Sequence, residues 1–158
     1  GVPEGFHEGD EVAQNAEFKL HTSYADILAN PFRHGTYYVV SFDQSVKGLL
    51  PGAPVEFRGI QIGKVERIML KEGLEITKSL GEQGKGIAIP ILIYIEPGRM
   101  ELPDSEDSIA TMRESVEIGV NNGLRATMAS GNLITGAKYI SFDFFAGAEA
   151  ASLGSFME

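Results

Sequence analysis

Apolar and polar side chains alternate between residues 36 and 98 with the two-residue period of β-strands. The alternation is clear in "APVEFRG", where Val55 and Phe57 face away from their polar neighbours, and it continues in "IQIGKVERIML". Aromatic and β-branched residues dominate "TYYVVSFD", which also favours a strand. Isoleucines share one face of "GIAIPILIYIEPG", and Pro90 on the other face indicates an edge position or a bulge. We therefore predict four strands here.

A helical pattern replaces the strand pattern between residues 105 and 122. The apolar residues at helical spacing are Ile109, Met112, Val116 and Val120. Asp104 or Ser105 is suited to cap the start, and "NNG" at 121–123 supplies a stop. By contrast, "EGLEITKSLGEQGKG" between the third and fourth predicted strands is polar and interrupted by glycines, which predicts a hairpin or loop.

The remaining strands are predicted in "LRATMA" and "AKYISFDFF", joined by "SGNLITG". The sum is a mainly β fold, a small barrel of about seven strands with one inserted helix and an N-terminal arm. We expect the arm over 1–35, the barrel domain over 36–146 and a tail without a regular pattern over 147–158. "SYADILAN" within the arm predicts a short helix.

Length and composition exclude several classes of protein. The 158 residues are enough for one domain with a core, and 43% hydrophobic with 22% charged residues is typical of a globular protein. The absence of cysteine excludes disulfides, thiolate metal sites and cysteine nucleophiles. A net charge of −9 repels phosphates, so we predict no nucleic-acid partner.

No membrane-spanning segment or secretory signal is visible in the chain. It contains no apolar run of about 20 residues, and its first residues have neither a basic start nor an apolar block. The sequence begins with Gly1 rather than methionine. We therefore expect it to be a piece of a longer protein whose targeting elements lie elsewhere.

Glycines in "VKGLLPGAPVEFRGIQIGKV" raise the question of a phosphate-binding loop. Such a loop needs glycines between a strand and the start of a helix, so that backbone N–H groups point at the anion. A strand pattern follows Gly59 instead, and "GEQGKG" also leads into a strand. We interpret these glycines as turns and as places of close backbone approach.

Candidate catalytic or metal-binding residues do not cluster in the sequence. His7, His21 and His34 all lie in the arm, too far apart for a helical zinc pair, and we interpret them as solvent-exposed. No Gly-x-Ser-x-Gly motif is present, and the acidic run "DSEDS" fits helix capping better than metal binding. We predict no enzyme activity, no metal and no cofactor.

Leu133 and Ile134 are unusual because they are apolar residues in a predicted loop between glycines, "SGNLITGAKY". Loop tips are normally polar because they are exposed to water. Periodicity alone favours side chains that fold back over the end of the barrel. The alternative is a contact with a lipid, a partner or a pore. The pattern does not decide between the two.

Two sequence blocks together resemble the mammalian cell entry (MCE) domain. The first is "VVSFDQSVKGLLPGAPVEFRGIQIGKVERIML" and the second is "NNGLRATMASGNLITGAKYISFDFF", so the resemblance covers residues 37–145. The positions that match the family motif are Gly48, Leu49, Gly52, Pro54, Val55, Gly59, Gly63, Val65 and Gly136. "GLRA" and "NLITG" look most like the paraquat-inducible protein B type, in which several such domains follow one another.

The resemblance implies a fold, an assembly and a function. Domains of this family form barrels of about seven strands that assemble as six-membered rings around a central hole. An N-terminal transmembrane helix anchors them in the inner membrane of Gram-negative bacteria, and they are implicated in carrying lipids across the periplasm. The resemblance implies that Leu133 and Ile134 line the hole, that phospholipids are the partners, and that the anchor lies outside this chain, with residues 1–35 as a connection from a preceding domain.

The predicted function is therefore a non-catalytic module of a homohexameric, lipid-conducting ring. One alternative is a monomeric module that binds a protein or a glycan through its loops. A second alternative, an enzyme, requires a polar cluster assembled from residues that are distant in the sequence.

Overall fold

A computed structural model describes residues 32–80, 88–148 and 154–156, and the part from His34 onward forms one compact unit. Its strands are β1 (Thr36–Phe42), β2 (Pro54–Phe57), β3 (Ile60–Ile68), β4 (Ile89–Ile95), β5 (Leu124–Asn132), β6 (Ala137–Phe144) and β7 (Gly154–Phe156). Its helices are α1 (Leu70–Leu80), α2 (Glu106–Asn121) and a 3-10 turn (Pro97–Met100).

The strands form a single sheet in the order β5-β6-β2-β3-β4-β1-β7. Neighbouring strands are antiparallel, except that β2 and β6 are parallel. The two outer strands, β5 and β7, do not pair with each other within the described residues, so the sheet is a curled half-barrel. The predicted mainly β fold with about seven strands and an inserted helix is confirmed.

The core consists of the apolar side chains that alternate along these strands. The fully buried side chains with the largest volumes include Val55 of β2, Ile91 and Ile93 of β4, Ile140 of β6 and Met112 of α2. Since Met112 belongs to the same cluster as the strand residues, α2 packs on one face of the sheet. Burial of each such side chain contributes about 1.5–3 kcal/mol to folding.

Helix α2 begins and ends close to the predicted positions. The Ser105 side chain caps it by accepting a hydrogen bond from the Ser108 backbone N–H at 3.4 Å, and Glu106 and Asp107 lie in the first turn, where negative charge is favourable. Gly123 follows the helix with φ +100°, a conformation that glycine adopts without strain. The prediction of a helix over 105–122 is confirmed to within one residue at each end.

Helix α1 lies where the sequence predicted a polar hairpin or loop, and that prediction is wrong. The helix packs on β4 through its backbone: a Cβ at Gly73 would lie 2.8 Å from Cδ of Pro90. A salt bridge of 2.7 Å between Arg67 and Glu72 supports its first turn. The glycine was interpreted as a breaker, but here it allows close packing. The apolar residues Leu70 and Leu74 lie one turn apart on this helix and remain about half exposed.

Pro90 was predicted to mark an edge position or a bulge, and it marks neither: β4 is a central strand, and the register shift between β3 and β4 lies at Val65/Arg67. β4 is hydrogen-bonded to β1 on one side and to β3 on the other, and the β3 ladder ends at Ile68↔Ile91. The Pro90 carbonyl accepts a hydrogen bond from Met69 N–H on this β3 side. Proline has no N–H with which to return a hydrogen bond to Met69, so the regular β3–β4 ladder ends at this point.

The predicted patternless tail contains a short strand. β7 (Gly154–Phe156) pairs antiparallel with residues 37–39 of β1. Three residues are too few to show a periodicity, and backbone hydrogen bonds are enough to place them. The helix predicted in "SYADILAN" and the histidines His7 and His21 lie outside the described residues.

Candidate functional site

The predicted apolar pair lies at the tip of the β5–β6 hairpin. Leu133 is 90% exposed and Ile134 is 95% exposed. All residues from 130 to 137 are exposed, so the end of the hairpin projects beyond the core. The interpretation favoured by periodicity, that these side chains fold back over the barrel end, is therefore wrong. A two-residue period predicts which face a strand residue occupies, but not where a turn points.

Hydrogen bonds between side chains and the backbone stabilise the turn at the hairpin tip. Burial of Leu133 and Ile134 does not contribute, because both are exposed. Oδ1 of Asn132 accepts hydrogen bonds from the backbone N–H groups of Ile134 at 2.9 Å and Thr135 at 3.0 Å. The Thr135 hydroxyl accepts a third from Ala137 N–H at 3.2 Å. Asparagine and threonine commonly organise turns in this way. The turn consequently displays Leu133 and Ile134 from a defined backbone.

The base of the hairpin contacts the connection between β1 and β2. Lys138 N–H donates a 2.9 Å hydrogen bond to the carbonyl of Gly48. Gly48 has φ +93°, and a Cβ built there would overlap the carbonyl oxygen of Gly136. The two sequence blocks therefore meet at this point, and only glycine fits at position 48.

The other residues of the sequence motif have structural positions. Leu49, Val55 and Val65 are buried in the core, and Pro54 begins β2 opposite Lys64. Gly52 and Gly59 lie in turns with positive φ. Gly63 is not in a turn, because it lies within β3 and packs closely on β4: a Cβ there would overlap the Tyr94 carbonyl oxygen. The interpretation that these glycines lie in turns or at places of close backbone approach is confirmed.

A second exposed cluster surrounds Arg58. Its Nε donates a 2.7 Å hydrogen bond to Oδ1 of Asp143, and its guanidinium lies within 6 Å of the rings of Phe57 and Phe144. The hydrogen bond from Arg58, followed by the one from Phe144 N–H, lowers the pKa of Asp143. Both charged side chains are largely exposed, so solvent screens this pair and its contribution to stability is small.

Chemical features of an active site are few in the described part of the chain. It contains no group of three or more His, Cys, Asp or Glu side chains that could hold a metal ion. His34 is partly buried and its Nδ1 lies 3.1 Å from Oδ1 of Asp104, so the interpretation of this histidine as solvent-exposed is wrong. Among the described helices, none combines the length and apolar character needed to cross a bilayer.

Most of the chain matches the model of a known protein family. The family described as "MlaD protein" matches residues 34–145. This range covers most of the chain, begins where the compact unit begins, and contains both motif blocks as well as the hairpin that displays Leu133 and Ile134.

Proposed function

The chain belongs to the MlaD protein family, and from this premise we propose that its β5–β6 hairpin tip lines the passage of a homohexameric ring that conducts phospholipids between the inner and outer membranes. Domains of this family are non-catalytic modules for lipid transport in the cell envelope, and they bind lipids and form oligomers. The proposal adds a ring, a periplasmic location and a pair of contact residues.

The observation that carries the proposal is the exposure of two large apolar side chains on a fixed turn. Burial of a leucine or isoleucine side chain contributes about 1.5–3 kcal/mol to the free energy of folding. Neither Leu133 nor Ile134 contributes that energy to this fold, since they are 90% and 95% exposed. Their apolar surface is therefore available to a ligand or a neighbouring molecule.

A collar of such side chains suits lipid transfer. Moving one sixteen-carbon tail into water costs on the order of 12 kcal/mol, at about 0.8 kcal/mol per methylene. An apolar lining removes most of this cost because the tail exchanges one apolar environment for another. Six copies of Leu133 and Ile134 would form one such collar, and the net charge of −9 would keep the outer surface soluble.

The proposal also concerns the parent protein. The motif features "GLRA" and "NLITG" support a tandem arrangement of the paraquat-inducible protein B type, in a Gram-negative bacterium. In this arrangement residues 1–35 connect the domain to a preceding one, residues 36–146 form the MCE domain, and a transmembrane helix outside this chain provides the anchor in the inner membrane.

The test is site-specific photo-crosslinking of the full-length protein in cells labelled with radioactive phosphate. A photoreactive residue is placed at Leu133, at Ile134 and, as a control, at Ile60. Ile60 is also apolar and exposed, at 60%, but it is the first residue of β3 and does not belong to the β5–β6 hairpin. We expect phospholipid label at both tip positions and not at the control.

Two other outcomes would contradict the proposal. Crosslinks from the tip to another protein, without lipid label, would favour a module that recognises a protein partner. Equal lipid label at Ile60 and at the tip would show that any exposed apolar residue is labelled, and that the hairpin has no special role.

A further inference from the structure

A large apolar cavity lies between α2 and the sheet, away from the hairpin tip. Its volume is about 330 Å³. Its lining includes Met112, Val116 and Gly119 of α2 and Ile62, Ile93 and Phe142 of the sheet. Phe144, which is 42% exposed, also lines the cavity, so the cavity reaches the surface. Leu133 and Ile134 do not line it, and it is therefore a separate feature.

One polar atom at this cavity is buried without a partner. Tyr38 lines the cavity and is only 4% exposed, and its hydroxyl has no hydrogen-bond acceptor among the described residues. Buried hydroxyl groups nearly always have a partner, because an unpaired one has lost its bonds to water. An acceptor atom on a molecule that enters the cavity would complete the bonding of this hydroxyl.

Arg113 on α2 lies beside this hydroxyl, and its Nη2 donates to the Thr36 hydroxyl at 2.8 Å. Burial raises the pKa of Tyr38, and the charge of Arg113 together with a side-chain hydrogen bond from it only partly opposes this effect. A guanidinium has donors and no acceptor, so Arg113 cannot accept the proton of the Tyr38 hydroxyl. The phenol therefore stays protonated at neutral pH and keeps its proton to donate. The positive charge beside it favours an acceptor with negative or partial negative charge.

We propose that this cavity binds a segment of one lipid acyl chain and that the Tyr38 hydroxyl donates a hydrogen bond to the carboxylate or ester oxygen at the end of the chain. The choice of a lipid as the occupant rests on the proposed function. The cavity has about twice the volume of an engineered apolar cavity of ~150 Å³ that takes up benzene, so it fits on the order of ten carbon atoms. The lining is almost entirely apolar, with the hydroxyls of Tyr38 and Ser115 as its side-chain donors. It matches an acyl chain better than it matches water, which needs two to four polar partners.

The first test measures the binding of cis-parinaric acid, a fluorescent fatty acid, to the purified full-length protein. All variants carry Leu133→Asp, which removes binding at the hairpin tip. Val116→Phe fills the cavity, and Ile118→Phe on the exposed side of the same helix is the matched control. We expect Val116→Phe to weaken binding at least tenfold and Ile118→Phe to leave it unchanged. The proposal would be overturned if Val116→Phe bound the fatty acid as tightly as the Leu133→Asp background does, or if Ile118→Phe weakened binding as much as Val116→Phe.

Tyr38→Phe keeps the proposal testable if Val116→Phe does not fold. This change removes only the unpaired hydroxyl, so the protein is expected to fold at least as well as before. We expect the affinity for the fatty acid to fall roughly tenfold, the loss that a hydrogen bond to a charged group implies. Unchanged affinity would overturn the assigned role of the hydroxyl.

The outcomes separate this inference from the proposed function. Lipid crosslinks at the hairpin tip without binding in the cavity would leave the ring proposal intact and refute the cavity site. Binding in the cavity without tip crosslinks would support the cavity site and refute the role of the hairpin.

Discussion

The carbonyl oxygen of Gly136 occupies the space that a side chain at Gly48 would need. The hydrogen bond from Lys138 N–H to the Gly48 carbonyl, at 2.9 Å, lies beside this contact. The connection between β1 and β2 is therefore packed against the base of the hairpin. Together with the Asn132 side chain, it fixes the position from which Leu133 and Ile134 project.

Gly48→Ala is expected to destabilise the protein more than Gly52→Ala. Both glycines have φ near +90°, so both substitutions carry the strain of about 1–2 kcal/mol that an L-residue has there. A Cβ at Gly52 meets nothing within 4 Å, whereas a Cβ at Gly48 overlaps backbone. We expect a loss of about 3 kcal/mol or more in the free energy of unfolding for Gly48→Ala, measured by urea denaturation. Equal losses would show that the contact with Gly136 contributes nothing.

Leu133→Asp is expected to leave stability unchanged while removing lipid contact. Because Leu133 is 90% exposed, the free energy of unfolding should change by less than about 0.5 kcal/mol. Ile140→Ala is the comparison, since Ile140 is fully buried and its truncation should cost about 2–5 kcal/mol. Thermal and urea unfolding measure both. A large loss for Leu133→Asp would mean that the side chain is buried against the domain.

Asn132→Ala is expected to loosen the hairpin tip, whereas Asn132→Asp is not. Alanine removes the oxygen that accepts hydrogen bonds from Ile134 N–H and Thr135 N–H, while aspartate keeps an oxygen in that position. We expect faster amide hydrogen exchange at both residues in the alanine variant and a stability loss of about 1 kcal/mol. If exchange at these two amides is the same in all three proteins, the side chain does not hold the turn.

Alternation along single strands was enough to predict β1 to β6 but neither β7 nor the order of the strands. Val55 is buried because it belongs to a strand with one apolar face, and that property is local to a few residues. The start of α2 was predictable for the same reason, since Ser105 caps it through Ser108. Local patterns fail where packing between distant residues decides the structure. Gly73 allows α1 to approach Pro90 and does not break the helix.

The candidate site was only partly predictable. The sequence singled out Leu133 and Ile134, but their direction depends on the length of the projecting hairpin and on contacts with Gly48, which lies in a different part of the chain. Tyr38 gave no signal, because a tyrosine in an aromatic strand pattern is indistinguishable from a core residue. Only the structure, which gives the neighbours of Tyr38, reveals that its hydroxyl has no acceptor.

The ion pair between Arg58 and Asp143 is expected to make the stability of the protein depend on pH. The hydrogen bond from Arg58 lowers the pKa of Asp143 in the folded protein below its unfolded value of about 3.9. A lowered carboxyl pKa means that the folded state favours the charged form. The stabilisation is therefore complete above the unfolded pKa and is lost as the pH falls through the folded pKa.

Two measurements check this prediction. The stability difference between the wild-type protein and Asp143→Asn should be largest near about pH 7, decrease with added salt, and shrink progressively as the pH falls below the unfolded pKa of about 3.9 and the carboxylate takes up its proton. Direct NMR titration of the Asp143 carboxyl should show a higher pKa in Arg58→Gln than in the wild type. If the two pKa values are the same, the hydrogen bond seen at 2.7 Å does not govern the charge of Asp143 in solution.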